Sequence, residues 1–264
     1  MAELMKVFTN AVPIVFVRGI GGCHLALLGA RANAVARSCG FRGEKGGVEL
    51  DASAYDAWYE TPRGRWIASR ELDLVRNSLA VHAGESLLDV GCGTGYFTRG
   101  LARQRKGPVS GIDINPEWVA YATQRDDLDI DWLVGDAQAL PFGDKSVDLI
   151  VSITALCFIE DERLAVSEMV RVAHRRVVLG LLNRNSLLWW QKGRRGGQGA
   201  YRGARWHTAR EARALFDGLP VTNVNVSSAI WLSGGGWLAR HTEGFWPAWL
   251  HGGAFLLVAA DLAR

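Results

Sequence analysis

The sequence predicts an α/β fold: a doubly wound, mostly parallel sheet with helices on both faces. Two observations carry this. First, short apolar runs alternate with stretches of helical periodicity: "SLLDVG", "TGYFTRGLARQ", "VSGIDI", "NPEWVAYATQR", "DIDWLVG", "SVDLIVSI", "EDERLAVSEMVRVA", "RRVVLGLLN". Strand–helix alternation of this kind builds parallel crossovers. Second, the last two apolar runs, "PVTNVNVSSAIWL" and "GGAFLLVAADL", are sequential and joined by a long loop. The sheet is therefore expected to end antiparallel.

Each element has local support. "SAYDAWYETPRGRWIASRELDLVRNSLAV" carries Ile67, Leu72, Leu74, Val75 and Leu79 at helical spacing. It reads as two helices broken near Thr61-Pro62, with Pro62 in the first turn of the second. Asn115 and Pro116 read as the N-cap and first position of a helix. Thr208 and Glu211, three residues apart, form a capping box for "TAREARALFDGL". Before that helix, "RNSLLWWQKGRRGGQGAYRGARWH" breaks the rhythm as an insert rich in Arg, Gly and Trp.

The chain has 264 residues, 48% of them hydrophobic, which is enough for one full-sized core. Its net charge of +3, without a charged tail, does not call for nucleic acid. Cys23, Cys39, Cys92 and Cys157 form no CxxC pair and no Cys/His cluster at zinc spacing. A reduced, cytoplasmic chain without a metal is expected. "AVPIVFVRGIGGCHLALLGA" is interrupted by Arg18 and His24, which makes a poor membrane span. As a signal peptide it is spoiled by Glu3 in the n-region and Arg18 in the apolar stretch. Residues 1–50 are expected to be a weakly ordered or non-native extension, ending in the linker-like "GFRGEKGG", with the working domain at 51–264.

"LLDVGCGTGYFT" places Gly91, Gly93 and Gly95 behind an apolar run. A dinucleotide fingerprint needs its third glycine at position 96, where Tyr96 stands, and a P-loop needs GK[ST]. Phosphate cradling is therefore disfavoured, while glycine still lets a ligand approach the backbone. Asp89 lies in the first strand's exit, Asp113 ends the second strand and Asp136 follows the third. In open α/β sheets, ligands sit outside the carboxyl ends of the strands. A carboxylate at position 89 suits an ammonium, one at 113 a ribose with both hydroxyls free, and one at 136 an adenine amino group, with the Ala137 N–H donating to a ring nitrogen. Singly, Asp113 reads equally as a helix cap and Asp136 as a solvated loop acid. Together the three describe a ligand with ammonium, ribose and adenine but no phosphate, which is S-adenosylmethionine.

At these residues the sequence resembles a known family. "LLDVGCGTGYFT", "GIDIN" and "GDAQALPFGDKSVDLIVSITALCFIED" are similar to successive motifs of class I S-adenosylmethionine-dependent methyltransferases. The nearest likeness is to the ubiquinone/menaquinone-biosynthesis-like, small-molecule branch. "YDAWYETPRGR" resembles the helix that lids the cofactor there. The resemblance spans about Ala52 to Arg264. It implies a Rossmann-like, seven-stranded sheet with the last strand antiparallel, and an N-terminal helical lid at 51–82. It also implies that Asp89 and the turn Gly91, Cys92, Gly93 to Gly95 face the methionine part. Asp113 would face the ribose, Ile114 the adenine face, and Asp136 with Ala137 the adenine edge, while Ser152 to Ala155 would pass near the methionine end.

A methyl sulfonium is already activated, so positioning alone supplies much of the barrier reduction, roughly 7–11 kcal/mol. A general base is needed only where the acceptor must lose a proton. Candidates are His207, His241 and His251, with Tyr55 and Tyr59 reaching in from the lid. Trp189, Trp190, Trp206, Trp231, Trp237, Trp246 and Trp249 crowd the last third, where this fold builds its acceptor pocket. Aromatic walls suit an apolar or aromatic small molecule. The insert, taken as a mobile segment at 184–207, carries Lys192, Arg194, Arg195, Arg202 and Arg205. The expected function is in-line methyl transfer to such a small acceptor. The alternatives are an RNA methyltransferase using the basic residues 192–205, and a non-catalytic cofactor-binding partner protein. No Asn/Asp-Pro-Pro-Tyr run follows the fourth strand, where "SITALCF" stands. By comparison with family patterns, this argues against adenine-N6 or glutamine-N5 methylation.

Overall fold

The computed structural model describes residues 51–246 and 250–263. The expected N-terminal extension, with Cys23 and Cys39, and Trp249 lie outside the described residues.

Seven strands form one sheet: β1 (Leu87–Val90), β2 (Val109–Asp113), β3 (Asp131–Val134), β4 (Val147–Ile153), β5 (Ala173–Leu182), β6 (Val221–Ala229) and β7 (Phe255–Leu262). Their spatial order is β3-β2-β1-β4-β5-β7-β6. β7 runs antiparallel to both β5 and β6, and the other pairings are parallel. This is the Rossmann-like sheet with an antiparallel last strand that the sequence predicts. β1 is buried along its whole length, as are most of β4 and β5. Strands covered on both faces read as continuous apolar runs, which is why they stand out in the sequence. Each fully buried Val, Leu or Ile there contributes about 1.5–3 kcal/mol.

Among the described residues the α-helices are α1 (Ala52–Tyr59), α2 (Pro62–Leu79), α3 (Tyr96–Ala102), α4 (Pro116–Gln124), α5 (Glu162–Val172), α6 (Ala209–Ala214) and α7 (Trp237–Thr242). From β1 the chain steps outward to β2 and β3, then returns and steps the other way to β4 and β5. Right-handed crossovers in opposite directions put α3 and α4 on one face and α5 on the other. The reversal between β1 and β4 opens a crevice at the strand ends.

The predicted caps form at Asn115 and Thr208, and Thr61 caps α2 as well. Thr61 Oγ1 accepts from the Gly64 N–H at 3.0 Å, with Pro62 at the first position of α2. Asn115 Oδ1 accepts from the N–H groups of Glu117 and Trp118. Thr208 and Glu211 make both bonds of the capping box. Three features went unpredicted. A 3-10 turn (Ala155–Phe158) follows β4. The insert winds through a π-helical turn (Trp189–Gly193) and two 3-10 turns. α7 lies in what reads as a long loop, because glycines flank its six residues. Among the described residues no helix is long and apolar enough to cross a membrane, and no group of His, Cys, Asp or Glu could hold a metal ion.

Candidate active site

The glycine turn joins β1 to α3. Gly91, Gly93 and Gly95 have φ values of 75°, 55° and 76°, a region that L-residues with a Cβ enter at a cost. The N–H groups of Gly91 and Cys92 donate to the Ile112 carbonyl at 2.7 and 3.0 Å, tying the turn to the end of β2. A Cβ at Gly91 would collide with Ala155 Cβ, and one at Gly95 with the Trp132 ring. The β4 exit is drawn in from the other side. Thr154, at φ 59°, turns the chain there and donates its N–H to the Gly180 carbonyl. A β-branched residue in that conformation is strained. The exits of β1 and β4 therefore meet at Gly91 and Ala155.

Asp89 and Asp113 adjoin this turn, and Asp136 lies farther out, past the end of β3. Asp89 is 2% exposed. Its Oδ2 accepts from the Thr98 hydroxyl at 2.7 Å, and its Oδ1 is buried without a partner. Burial pushes its carboxyl up to about 7, opposed by the Thr98 bond and reinforced by Asp113. A buried, unpaired carboxylate oxygen is costly and fits a site completed by a cationic ligand. Asp113 accepts from the Gly93 N–H at 2.8 Å and the Asn115 N–H at 2.9 Å. Each oxygen keeps a lone pair for a further donor. Burial raises its carboxyl too, against those backbone bonds. Ile114 beside it is 59% exposed, a bare apolar surface at the crevice. Asp136 is held by Gln138, whose N–H donates at 2.9 Å, and Ala137 is buried.

α1 is anchored to the glycine turn by residues the sequence reading passed over. Asp56 on α1 is buried and accepts from the Thr94 hydroxyl of the glycine turn at 2.9 Å. Arg99 on α3 lies 3.5 Å from the same carboxylate and donates to the Thr94 carbonyl at 2.8 Å. Arg125 reaches it from the end of α4, also at 3.5 Å. The signal was positional. Asp56 lies four residues after Ala52, on the buried stripe of α1. Glu71 likewise falls between Ile67 and Val75 on the buried stripe of α2.

Tyr55 and Tyr59 form an aromatic cluster rather than open bases. Their hydroxyls are 3.1 Å apart. Tyr55 packs on Trp118, and Tyr59 stacks on Tyr96 with centroids 4.2 Å apart. Burial raises both phenols further above their ordinary range. His207 is buried, with Nε2 2.8 Å from Glu162 Oε2 and Nδ1 unpartnered. His241 accompanies Trp237 on α7, and His251 Nε2 lies 3.0 Å from the Val226 carbonyl.

The tryptophans do not share one wall. Trp206 is buried against Tyr201, Trp231 stacks on Trp246, and Trp190 and Trp237 are exposed. Arg194 covers the Trp190 ring, and Arg205 bonds the carbonyls of Ile159 and Glu160 and pairs with Glu162. A charged hollow of about 660 Å³ lies near Gln138, Glu162 and Arg205, and one of about 440 Å³ near Asp56, Arg99 and Arg125. Neither is lined by the turn glycines or the strand-end acids.

The family model "Methyltransferase domain" matches residues 88–179. A Mycobacterium tuberculosis protein of uncharacterised function is 33% identical over 171 residues, 63% of this chain and 56% of that one. The chain thus spans about half the length of that relative. The 2-methyl-6-phytyl-1,4-hydroquinone methyltransferase of Synechocystis is 34% identical over 118 residues, 41% of this chain and 37% of that one. Among solved structures, an S-adenosylmethionine-dependent methyltransferase from Thermotoga maritima superposes with a TM-score of 0.62 at 21% identity, covering 79% of this chain and 94% of that one. With the strand order, the glycine turn and its acids, these likenesses place a methyltransferase domain over residues 88–179, on the fold of class I S-adenosylmethionine-dependent methyltransferases.

Proposed function

We propose that this protein is an S-adenosylmethionine-dependent methyltransferase whose acceptor is a small apolar or aromatic molecule. The observation that carries the reading is Asp89, whose buried, unpaired oxygen stands beside a glycine turn. That oxygen would take the ammonium of the cofactor's methionine part, held along the backbone of Gly91, Cys92, Gly93 and Gly95. Asp113 would accept from the ribose hydroxyls and Ile114 would cover one face of the adenine, with Asp136 and Ala137 at its edge. When bound, the cofactor supplies an electrophilic methyl group.

The chain's own residues align and desolvate. α1 and α2 close over the turn as a lid, with Asp56 as the fastening. The insert at 184–207 covers the acceptor side, bringing Tyr201 and Trp206 together. A small acceptor is favoured over RNA because Arg194 and Arg205 are engaged within the protein. The hydroquinone acceptor in the name of the Synechocystis relative is in keeping with this. Calorimetry with S-adenosylhomocysteine, followed by a cofactor-consumption screen over quinols, phenols, thiols, fatty acids and tRNA, tests the proposal. We expect binding of the product and turnover with a quinol or phenol. Absence of binding overturns the cofactor assignment, and turnover with tRNA alone overturns the acceptor class.

A further inference from the structure

The sheet sends two segments out from one edge. Leu182 at the end of β5, Ala229 at the end of β6 and Phe255 at the start of β7 stand in register across neighbouring strands. The insert at 184–207 leaves from the first of these, and the connection that holds α7 leaves from the second. Their departure points are about 10 Å apart, two strand spacings. β5 runs parallel to β4, and β4 to β1. The two segments therefore leave from the same edge of the sheet as the glycine turn.

Both segments carry large apolar side chains into solvent. In the insert, Trp190 is 63% exposed and Leu187 46%; around α7, Trp237 is 71% exposed, Leu238 56%, Phe245 83% and Trp246 42%. The backbone beneath the second group is pinned. Arg240 donates to the Gly235 and Pro62 carbonyls at 3.0 Å, and Arg63 on α2 donates to the Ser233 carbonyl at 2.8 Å. Glu243 accepts from the Trp231 N–H at 3.1 Å. These anchors fix which way α7 faces. At about 3.6 residues per turn, the buried Ala239, Arg240 and Glu243 fall on the side turned to the protein. Trp237, Leu238 and His241 fall on the side turned away, and all three are exposed. Single exposed apolar residues are ordinary, but a group of them held in place marks a docking face.

Charge identifies what docks. Residues 184–207 contain Arg184, Lys192, Arg194, Arg195, Arg202 and Arg205 and no acid. Lys192, Arg194 and Arg195 are exposed beside Trp190. The connection from 230 to 254 adds Arg240 and His241, and its one acid, Glu243, is turned to the backbone of Ile230 and Trp231. Trp, Leu and Phe set among cations suit the headgroup layer of an anionic bilayer. The tryptophans match the polar–apolar boundary, the aliphatic and phenyl groups reach the acyl region, and the cations meet lipid phosphates. Nucleic acid would reward the cations but gives nothing to Leu187, Leu238 and Phe245.

We propose that this rim docks the protein on a membrane surface rich in anionic phospholipid, and that the acceptor reaches the site from the bilayer across it. The chain lies on the membrane there and does not cross it. The route of the acceptor rests on the methyl-transfer reading above; the docking does not.

Flotation of the full chain with lipid vesicles tests the docking. We expect binding to phosphatidylcholine vesicles that contain about one third phosphatidylglycerol, and weaker binding to phosphatidylcholine alone. Leu238→Ser combined with Phe245→Ser should weaken binding about 10- to 100-fold. Lys192→Gln combined with Arg195→Gln should weaken it about 10-fold, and less at high salt. Circular dichroism should show both pairs folded like the wild type, since the side chains replaced are exposed. Val81→Ser, an exposed apolar residue ahead of β1 at the opposite edge of the sheet, should change nothing. Absence of vesicle binding by the wild type, or binding that Leu238→Ser with Phe245→Ser leaves unchanged, overturns the proposal. Self-association, or capture of an RNA oligonucleotide, in place of vesicle binding assigns the face to a second copy or to nucleic acid and overturns it too. Calorimetry of the wild type with S-adenosylhomocysteine is the separate check: failure there overturns the cofactor reading and leaves the docking standing.

Discussion

Replacing Asp56 by Asn should loosen the lid from the glycine turn, at a cost that the contacts set. The side chains of Asp56 and Arg99 are 5% and 7% exposed. Removing one charge of a buried pair typically costs about 3–5 kcal/mol, because the other is left without its counter-ion. Two features lower the figure here. The Asp56–Arg99 separation of 3.5 Å is longer than a tight charge-assisted bond. Asn also keeps an acceptor for the Thr94 hydroxyl, and the Thr94 carbonyl still accepts from Arg99. We therefore expect a loss of about 2 kcal/mol. Arg125, with its side chain 53% exposed, should contribute well under 1 kcal/mol through the same carboxylate. Urea unfolding at pH 7 measures both, and limited proteolysis near Glu60 and Thr61 reports whether the loss is local to the lid. The reasoning fails if Asp56→Asn lies within about 0.5 kcal/mol of the wild type, or if Arg125→Gln costs as much as Asp56→Asn.

Three further outcomes are expected. Asp113→Ala should weaken S-adenosylhomocysteine binding about 10- to 100-fold in calorimetry; unchanged affinity refutes the ribose assignment. Gly95→Ala should cost more than about 2 kcal/mol in urea unfolding, since its φ of 76° and the Trp132 ring both oppose a Cβ; a near-neutral midpoint refutes this. Asp89 has a carboxyl raised from its unfolded range near 4 to about 7, so the stability present below about pH 4 is lost as the pH rises through about 7. Asp89→Asn should therefore match the ligand-free wild type near pH 4 and exceed it by about 4 kcal/mol at pH 8, while losing cofactor affinity; a variant less stable than the wild type at pH 8 contradicts this.

The parts legible in the sequence are those whose cause is local. Buried parallel strands announce themselves as apolar runs, and Asn115-Pro116 and Thr208–Glu211 carry their caps within a few residues. The glycine turn was readable because three backbone positions at positive φ demand glycine. Asp56, Arg99 and Thr94 were missed because their partnership joins α1 to α3 across 38 residues or more. Glu71 in "SRELDLV" looks like a solvated helix acid until its spacing from Ile67 and Val75 is counted. The crowding of tryptophans in the last third is plain in the sequence, but their distribution is set by tertiary packing, which buries Trp206, stacks Trp231 on Trp246 and leaves Trp190 and Trp237 exposed.

One mechanical consequence joins α1 to the glycine turn. α1 and α2 are separated only by Glu60 and Thr61, and the Thr61 cap fixes how α2 begins. Asp56 fastens α1 to Thr94 in the glycine turn. α1 also carries Tyr55, which packs on Trp118, and Tyr59, which stacks on Tyr96. Whatever orders the glycine turn therefore orders this aromatic cluster as well. Coupling of this kind is reciprocal: if the cofactor tightens the Thr94–Asp56 fastening and so improves acceptor binding, the acceptor improves cofactor binding by the same factor. Asp56→Asn should then cut the link rather than either site. Cofactor and acceptor would each bind with their separate affinities, and their mutual enhancement would disappear. A buried carboxylate is a suitable device for this, because its contact with Thr94 is made in full only when α1 is seated and water is excluded.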